Sequence, residues 1–110
     1  MPDFYKEVLL NFAELKDEKQ RQLQEAFAAQ DWKNYVIQIH SLKSTALSIG
    51  GEKTSIAAKK LEAAGKILTS SAISDSEKQA KAEFIKTNHA AAMKLYDKLA
   101  EEAKKLAETL

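Results

Sequence analysis

A histidine, a lysine and a serine share one face of a predicted helix in the middle of the chain. His40, Lys43 and Ser44 are three and four residues apart, and residues with that spacing are neighbours on a helix surface. An exposed imidazole with an ordinary pKa of about 6.5 is largely neutral near pH 7 and can act as a nucleophile. A lysine one turn away offers a positive charge to an anion. The spacing therefore predicts a nucleophile with an amine beside it.

At these residues the sequence resembles a known family, the histidine-containing phosphotransfer (HPt) domain of bacterial multistep phosphorelays. The family signature is a His, an apolar residue two positions on, a Lys three positions on, small residues and then Gly, with Leu-Glu or Leu-Gln on the next helix. The matching residues here are His40, Leu42, Lys43, Ser44-Thr45-Ala46, Gly50 and Leu61-Glu62. The match is closest over residues 31–62.

The resemblance implies a role for each polar residue of this pattern. His40 is the phosphorylated residue, and Glu62 accepts a hydrogen bond from its Nδ1–H, which leaves the Nε2 lone pair pointing outward. Lys43 compensates charge on the phosphoryl group. Related domains usually have Gly where this chain has Ser44, which stays small and either bonds a phosphoryl oxygen or mildly hinders docking. Lys59 is a more distant candidate for charge near the site.

The resemblance also implies a partner, a receiver domain of a response regulator or hybrid sensor kinase. That partner supplies the aspartate and the Mg²⁺, so no cofactor is expected on this chain. A chain of 110 residues has no room for an ATP-binding kinase domain beside a bundle, so we expect a phosphotransfer protein rather than a kinase. Docking is expected to use Ser44 together with Lys33, Val36, Ile37 and Leu47.

Composition sets limits on the remaining possibilities. At 110 residues the chain is one domain, 1–110, which we expect to act alone or as part of a larger signalling protein. A net charge of +1 predicts neither nucleic-acid nor membrane binding. The chain has no Cys and no long apolar run, which excludes thiol chemistry and favours a cytoplasmic location. We expect a monomer.

The hydrophobic pattern predicts an all-α fold, an up-and-down antiparallel four-helix bundle with a short extra N-terminal helix and a long C-terminal helix. The short helix covers residues 3–15, a charged turn follows at 16–19, and a second helix ends near Gln30. Asp31 caps the third helix, which runs to about Ser48 and ends at Gly50-Gly51. The fourth helix spans about 52–68.

The last helix begins at Ser74 or Asp75 and runs for about 35 residues, with a heptad-like apolar seam. Its end is expected to project or to pair with another chain. The seam residues are Ile85, His89, Ala92, Tyr96, Leu99, Ala103, Leu106 and Leu110. His89 lies on this seam beside small residues, so we expect it to be structural.

Two other functions fit the same sequence. The first is a helical adaptor or coiled-coil module in which His40 is incidental, a hypothesis favoured by the long C-terminal helix. The second is the phosphoacceptor domain of a chemotaxis-type kinase, phosphorylated from ATP by a kinase domain elsewhere in the chain. With only two His residues, about fifty positions apart, the sequence predicts no metal site.

Overall fold

The computed structural model describes residues 2–110 and consists of helices joined by short connections. The four helices are α1 (Pro2–Ala29), α2 (Trp32–Ser48), α3 (Glu52–Leu68) and α4 (Asp75–Glu108). The all-α prediction is confirmed, and no strand occurs in this part of the chain. None of the described helices is long and apolar enough to cross a membrane.

The helix boundaries follow local sequence signals. The Asp31 side chain accepts a hydrogen bond from the backbone N–H of Asn34 at the start of α2 (3.2 Å), as expected for an N-cap. The Ser74 hydroxyl accepts one from the N–H of Glu77 at the start of α4 (3.2 Å), which identifies Ser74 as the cap. Gly50 ends α2 with a φ of 83°, a left-handed conformation that glycine adopts without strain.

The predicted break between a short N-terminal helix and a second helix is wrong. α1 is continuous from Pro2 to Ala29, and the charged residues 16–19 lie within it. Lysine and glutamate are good helix formers, and pairs such as Glu18–Arg21 and Arg21–Glu25 support the helix along its exposed face. Lys16 also reaches across to Asp97 on α4, with 2.7 Å between the two charged atoms. Asp17 and Glu18 are exposed, whereas Lys16 and Lys19 are half-buried, so the charged stretch is an internal part of one helix rather than a turn.

All four helices contribute to a single core. Successive helices pack against each other, and α4 packs back against α1, so the four helices enclose one apolar interior. The largest fully buried side chains come from every helix: Leu9 and Leu23, Tyr35 and Ile39, Leu61, and Ile85. This packing is compatible with a helical bundle.

The long C-terminal helix is confirmed at 34 residues, but its apolar seam differs from the predicted one in the last turns. Leu106 and Leu110 are 43% and 50% exposed, and Ala100 and Ala107 are buried instead. A straight α-helix repeats every 3.6 residues rather than 3.5, so a heptad seam drifts around it by about 20° per heptad. Ala103 and Ala107 are buried against other helices of the same chain, so this face does not project freely.

Candidate functional site

His40, Lys43 and Glu62 meet where α2 packs against α3. The Nδ1 atom of His40 lies 2.5 Å from Oε2 of Glu62. The amine of Lys43 donates a hydrogen bond to the other oxygen, Oε1, at 2.7 Å. The structure therefore brings together three of the residues that the sequence singled out, with one carboxylate held between an imidazole and an amine.

Close packing of α2 and α3 creates this geometry. Gly65 lies one turn beyond Glu62, and a Cβ placed on it would be 2.6 Å from Cγ2 of Val36. The absence of a side chain at Gly65 thus leaves room for the Val36 side chain where α2 packs against α3. Nearer the start of α3, the Ser55 hydroxyl donates a hydrogen bond to the backbone carbonyl of Lys43 (3.0 Å). These two contacts hold α3 in register with α2 on both sides of the site.

The Glu62 carboxylate is buried and ionised. Burial alone would raise its pKa, but hydrogen bonds from Lys43 and His40, with the charges of Lys43 and Lys66, bring the pKa of Glu62 below its ordinary value. An ionised carboxylate only accepts hydrogen bonds, so His40 donates through Nδ1–H. The Nε2 atom then carries the lone pair, and the His40 side chain is 58% exposed to solvent.

Lys66 is a member of the site that the sequence reasoning missed. Its amine lies 3.6 Å from Oε2 of Glu62, the same oxygen that accepts the His40 hydrogen bond. The i, i+4 spacing of Glu62 and Lys66 on one helix was the available signal. Lys59 is exposed on α3 and forms no ion pair with any described residue.

The predicted docking residues form a stripe along α2 on both sides of His40. Lys33 and Ser44 are exposed, and Ile37 and Leu47 are large apolar side chains that are 61% and 60% exposed. Val36 is half-buried, because its side chain packs toward Gly65. Val36 thus belongs in part to the α2–α3 contact, and the other four residues are open to solvent.

His89, by contrast, lies inside the core. Its Nδ1 atom lies 2.8 Å from the Tyr35 hydroxyl, and its Nε2 atom lies 3.0 Å from the side-chain amide oxygen (Oε1) of Gln24. Its ring stacks on Phe27, with 4.2 Å between the ring centroids. Burial lowers the pKa of His89 to about 4, so the ring is neutral near pH 7. Gln24 Oε1 can only accept, so Nε2–H donates to it and Nδ1 accepts from Tyr35. Both ring nitrogens are therefore engaged, as expected for a structural histidine.

Comparison with known proteins adds no further information on this site. No protein-family model, no curated protein and no solved structure matches the chain significantly. Across residues 2–110, no three His, Cys, Asp or Glu side chains converge in a way that could hold a metal ion.

Proposed function

We propose that this protein is a histidine phosphocarrier of a multistep phosphorelay. His40 accepts a phosphoryl group from the aspartyl phosphate of one receiver domain and passes it to the aspartate of another. One observation carries the proposal: an exposed imidazole is held through Nδ1–H by a buried, ionised carboxylate, Glu62, with 2.5 Å between the two atoms. The sequence resemblance to HPt domains at His40, Lys43 and Glu62 is a second, independent support.

The transfer step uses the Nε2 lone pair of His40. It forms a bond to phosphorus in line with the departing aspartate oxygen, and the P–O bond breaks with its electron pair going to that carboxylate. The imidazole ring gains positive charge while Nδ1 keeps its proton. Glu62 stabilises this charge through the hydrogen bond it already accepts. Return of the phosphoryl group to a second aspartate reverses the same step.

Lys43 has a defined part in this step. In the structure its amine is hydrogen-bonded to Glu62 and its side chain is 26% exposed, so it lies at the edge of the site rather than inside the core. A flexible lysine side chain can turn from Glu62 toward phosphoryl oxygens that arrive one turn away at His40. The Mg²⁺ required for the aspartyl phosphate chemistry belongs to the receiver domain.

The bundle topology belongs to this proposal as well. We assign an up-and-down antiparallel arrangement, in which α2 and α3 present His40 on the outside of the bundle. Side-chain contacts between α1 and α4 support the antiparallel arrangement of these two helices. Residues that come later in α1 contact residues that come earlier in α4. The contacts are Lys16 with Asp97, Gln20 with the Met93 carbonyl, and Gln24 with His89.

The partner is a receiver domain in the cytoplasm, which docks on the stripe of Lys33, Ile37, Ser44 and Leu47 around His40. Exposed apolar side chains on both sides of a polar reactive residue suit such a contact, because apolar area provides affinity and the small Ser44 leaves room for approach. A monomeric carrier leaves this stripe free for the donor and the acceptor in turn.

The test is phosphoryl transfer from a receiver domain that has been phosphorylated on its aspartate, with Mg²⁺ present. Wild-type protein should gain acid-labile, base-stable phosphate, and His40→Gln should gain none. His89→Gln is the matched control, because it removes the other histidine and should retain transfer. Label on the His40→Gln protein, or none on wild type with any of several receivers, would contradict the proposal. Labelling by an ATP-bound kinase domain but by no receiver would instead favour the chemotaxis-type phosphoacceptor.

A further inference from the structure

Two lysines face the buried Glu62 carboxylate at different distances. The Glu62 side chain is 4% exposed, whereas those of Lys43 and Lys66 are 26% and 63% exposed. The Lys43 amine lies 2.7 Å from Oε1, which is a hydrogen-bonding distance, and the Lys66 amine lies 3.6 Å from Oε2, which is too long for one. Lys43 is therefore the bonded partner of the carboxylate, and Lys66 is a second cation just outside bonding distance.

The proposed transfer step takes the bonded partner away from Glu62. When the Lys43 amine turns toward phosphoryl oxygens at His40, Oε1 of Glu62 loses its hydrogen-bond donor and the carboxylate loses its nearest positive charge. A buried carboxylate without a paired cation takes up a proton rather than stay ionised. A protonated Glu62 would no longer stabilise the positive charge that the His40 ring gains. The site therefore needs another cation at Glu62 when Lys43 leaves.

Lys66 is placed to become that cation. Charge-assisted hydrogen bonds from an amine to a carboxylate are about 2.8 Å long, so the Lys66 amine has to approach Oε2 by only about 0.8 Å. Lys66 follows Glu62 by four residues on one helix, which is the favourable order for such a pair. It forms no other ion pair within residues 2–110, so no other salt bridge has to break.

We propose that Lys66 is a positioning residue that replaces Lys43 as the counter-charge of Glu62 while Lys43 contacts the phosphoryl group on His40. This inference rests on the proposed function and deepens it. Lys66 acts through Glu62 and not on the phosphoryl group. It keeps the carboxylate ionised, so that Glu62 continues to accept the Nδ1–H hydrogen bond and Nε2 remains the atom that carries phosphorus.

The first test needs no phosphoryl group, because Lys43→Met imitates the departure of Lys43 from Glu62. Urea unfolding at pH 7 would compare Lys66→Met in the wild-type and Lys43→Met backgrounds. Alone, Lys66→Met should raise the unfolding equilibrium constant by no more than about fivefold, as for an exposed pair. In the Lys43→Met background its effect should be about tenfold larger. Additive effects of the two substitutions would overturn the proposal.

The second test measures transfer to His40 from a phosphorylated receiver domain between pH 8 and 6, and it needs only single variants. Without Lys66, Glu62 should take up a proton in this range once Lys43 has turned away. The ratio of the Lys66→Met rate to the wild-type rate should therefore fall by up to about tenfold, the full loss expected when the charge of Glu62 is removed. His40 titrates in both proteins, so the ratio cancels its protonation.

Two variants serve as controls for the rate measurements. Lys59→Met changes the net charge equally on the same helix, and Lys59 is exposed without an ion pair to any described residue, so its ratio should stay flat. Lys66→Arg keeps the positive charge and should restore the wild-type profile. If Lys66→Met matched Lys59→Met while wild type transferred normally, this inference alone would fail. Wild-type protein that accepts no phosphoryl group would overturn the proposed function and this inference with it.

Discussion

Acidification should destabilise the protein through His89 well before its carboxylates are protonated. The pKa of His89 is lowered from 6.5 to about 4 because the ring is buried. The groups that face it are neutral: the Tyr35 hydroxyl from α2, and the Gln24 amide and the Phe27 ring from α1. Protonation would therefore place an uncompensated positive charge in the core.

The sign of the effect follows from proton binding. Between pH 6.5 and 4 the unfolded chain binds a proton at His89 that the folded chain does not, so the free energy of unfolding falls as the pH falls. Each pKa unit corresponds to about 1.4 kcal/mol, so lowering the pKa of His89 from 6.5 to about 4 contributes about 3.5 kcal/mol. A domain of this size is typically stable by about 5–15 kcal/mol, so the loss should be easily measurable.

Urea unfolding followed by circular dichroism at several values between pH 7 and 4 would measure this loss. His89→Gln is the comparison, because a glutamine can hydrogen-bond in the same place without titrating. Wild type should lose about 1.4 kcal/mol more per pH unit than the variant below pH 6.5. All other ionisable groups are the same in the two proteins, so the difference between them isolates His89. Parallel curves would refute this reasoning and show that the His89 ring is hydrated or paired with a charge.

Two further predictions concern the α2–α3 contact. Glu62→Gln keeps the size of the side chain but removes its charge, so phosphoryl transfer to His40 should slow by roughly tenfold, which corresponds to about 1.4 kcal/mol of transition-state stabilisation. Rapid-quench kinetics would measure the transfer rate. An unchanged rate would exclude a charge role for Glu62. Gly65→Ala should lower the free energy of unfolding by about 1 kcal/mol, because the new Cβ meets Val36 and the strain exceeds the gain in helix propensity. Adding Val36→Ala to Gly65→Ala should remove the strain. If the effects of the two substitutions on the free energy of unfolding were simply additive, this would contradict the close approach of α2 and α3.

The features that the sequence predicted well depend on residues that are close together in the chain. Asp31 as the cap of α2 and Gly50 as its end are decided within one turn of helix, so reading the chain locally is sufficient. The same holds for the shared face of His40 and Lys43. The charged residues 16–19 show where local reasoning failed, because the same composition suits a turn and the solvated face of a helix. The contact between Lys16 and Asp97 joins residues 81 positions apart, so it cannot be predicted from local sequence patterns.

The sequence by itself therefore determined an all-α chain, most of its helix ends and a candidate pair of reactive residues on α2. Only the tertiary structure decided what surrounds them. It placed Glu62 against both His40 and Lys43, where the family resemblance had implied only the contact with His40, added Lys66, and enclosed His89 between Tyr35 and Gln24. These pairings join residues 19 to 65 positions apart where they cross between helices. Their geometry depends on how closely the helices pack, and short-range spacing carries no information about that distance.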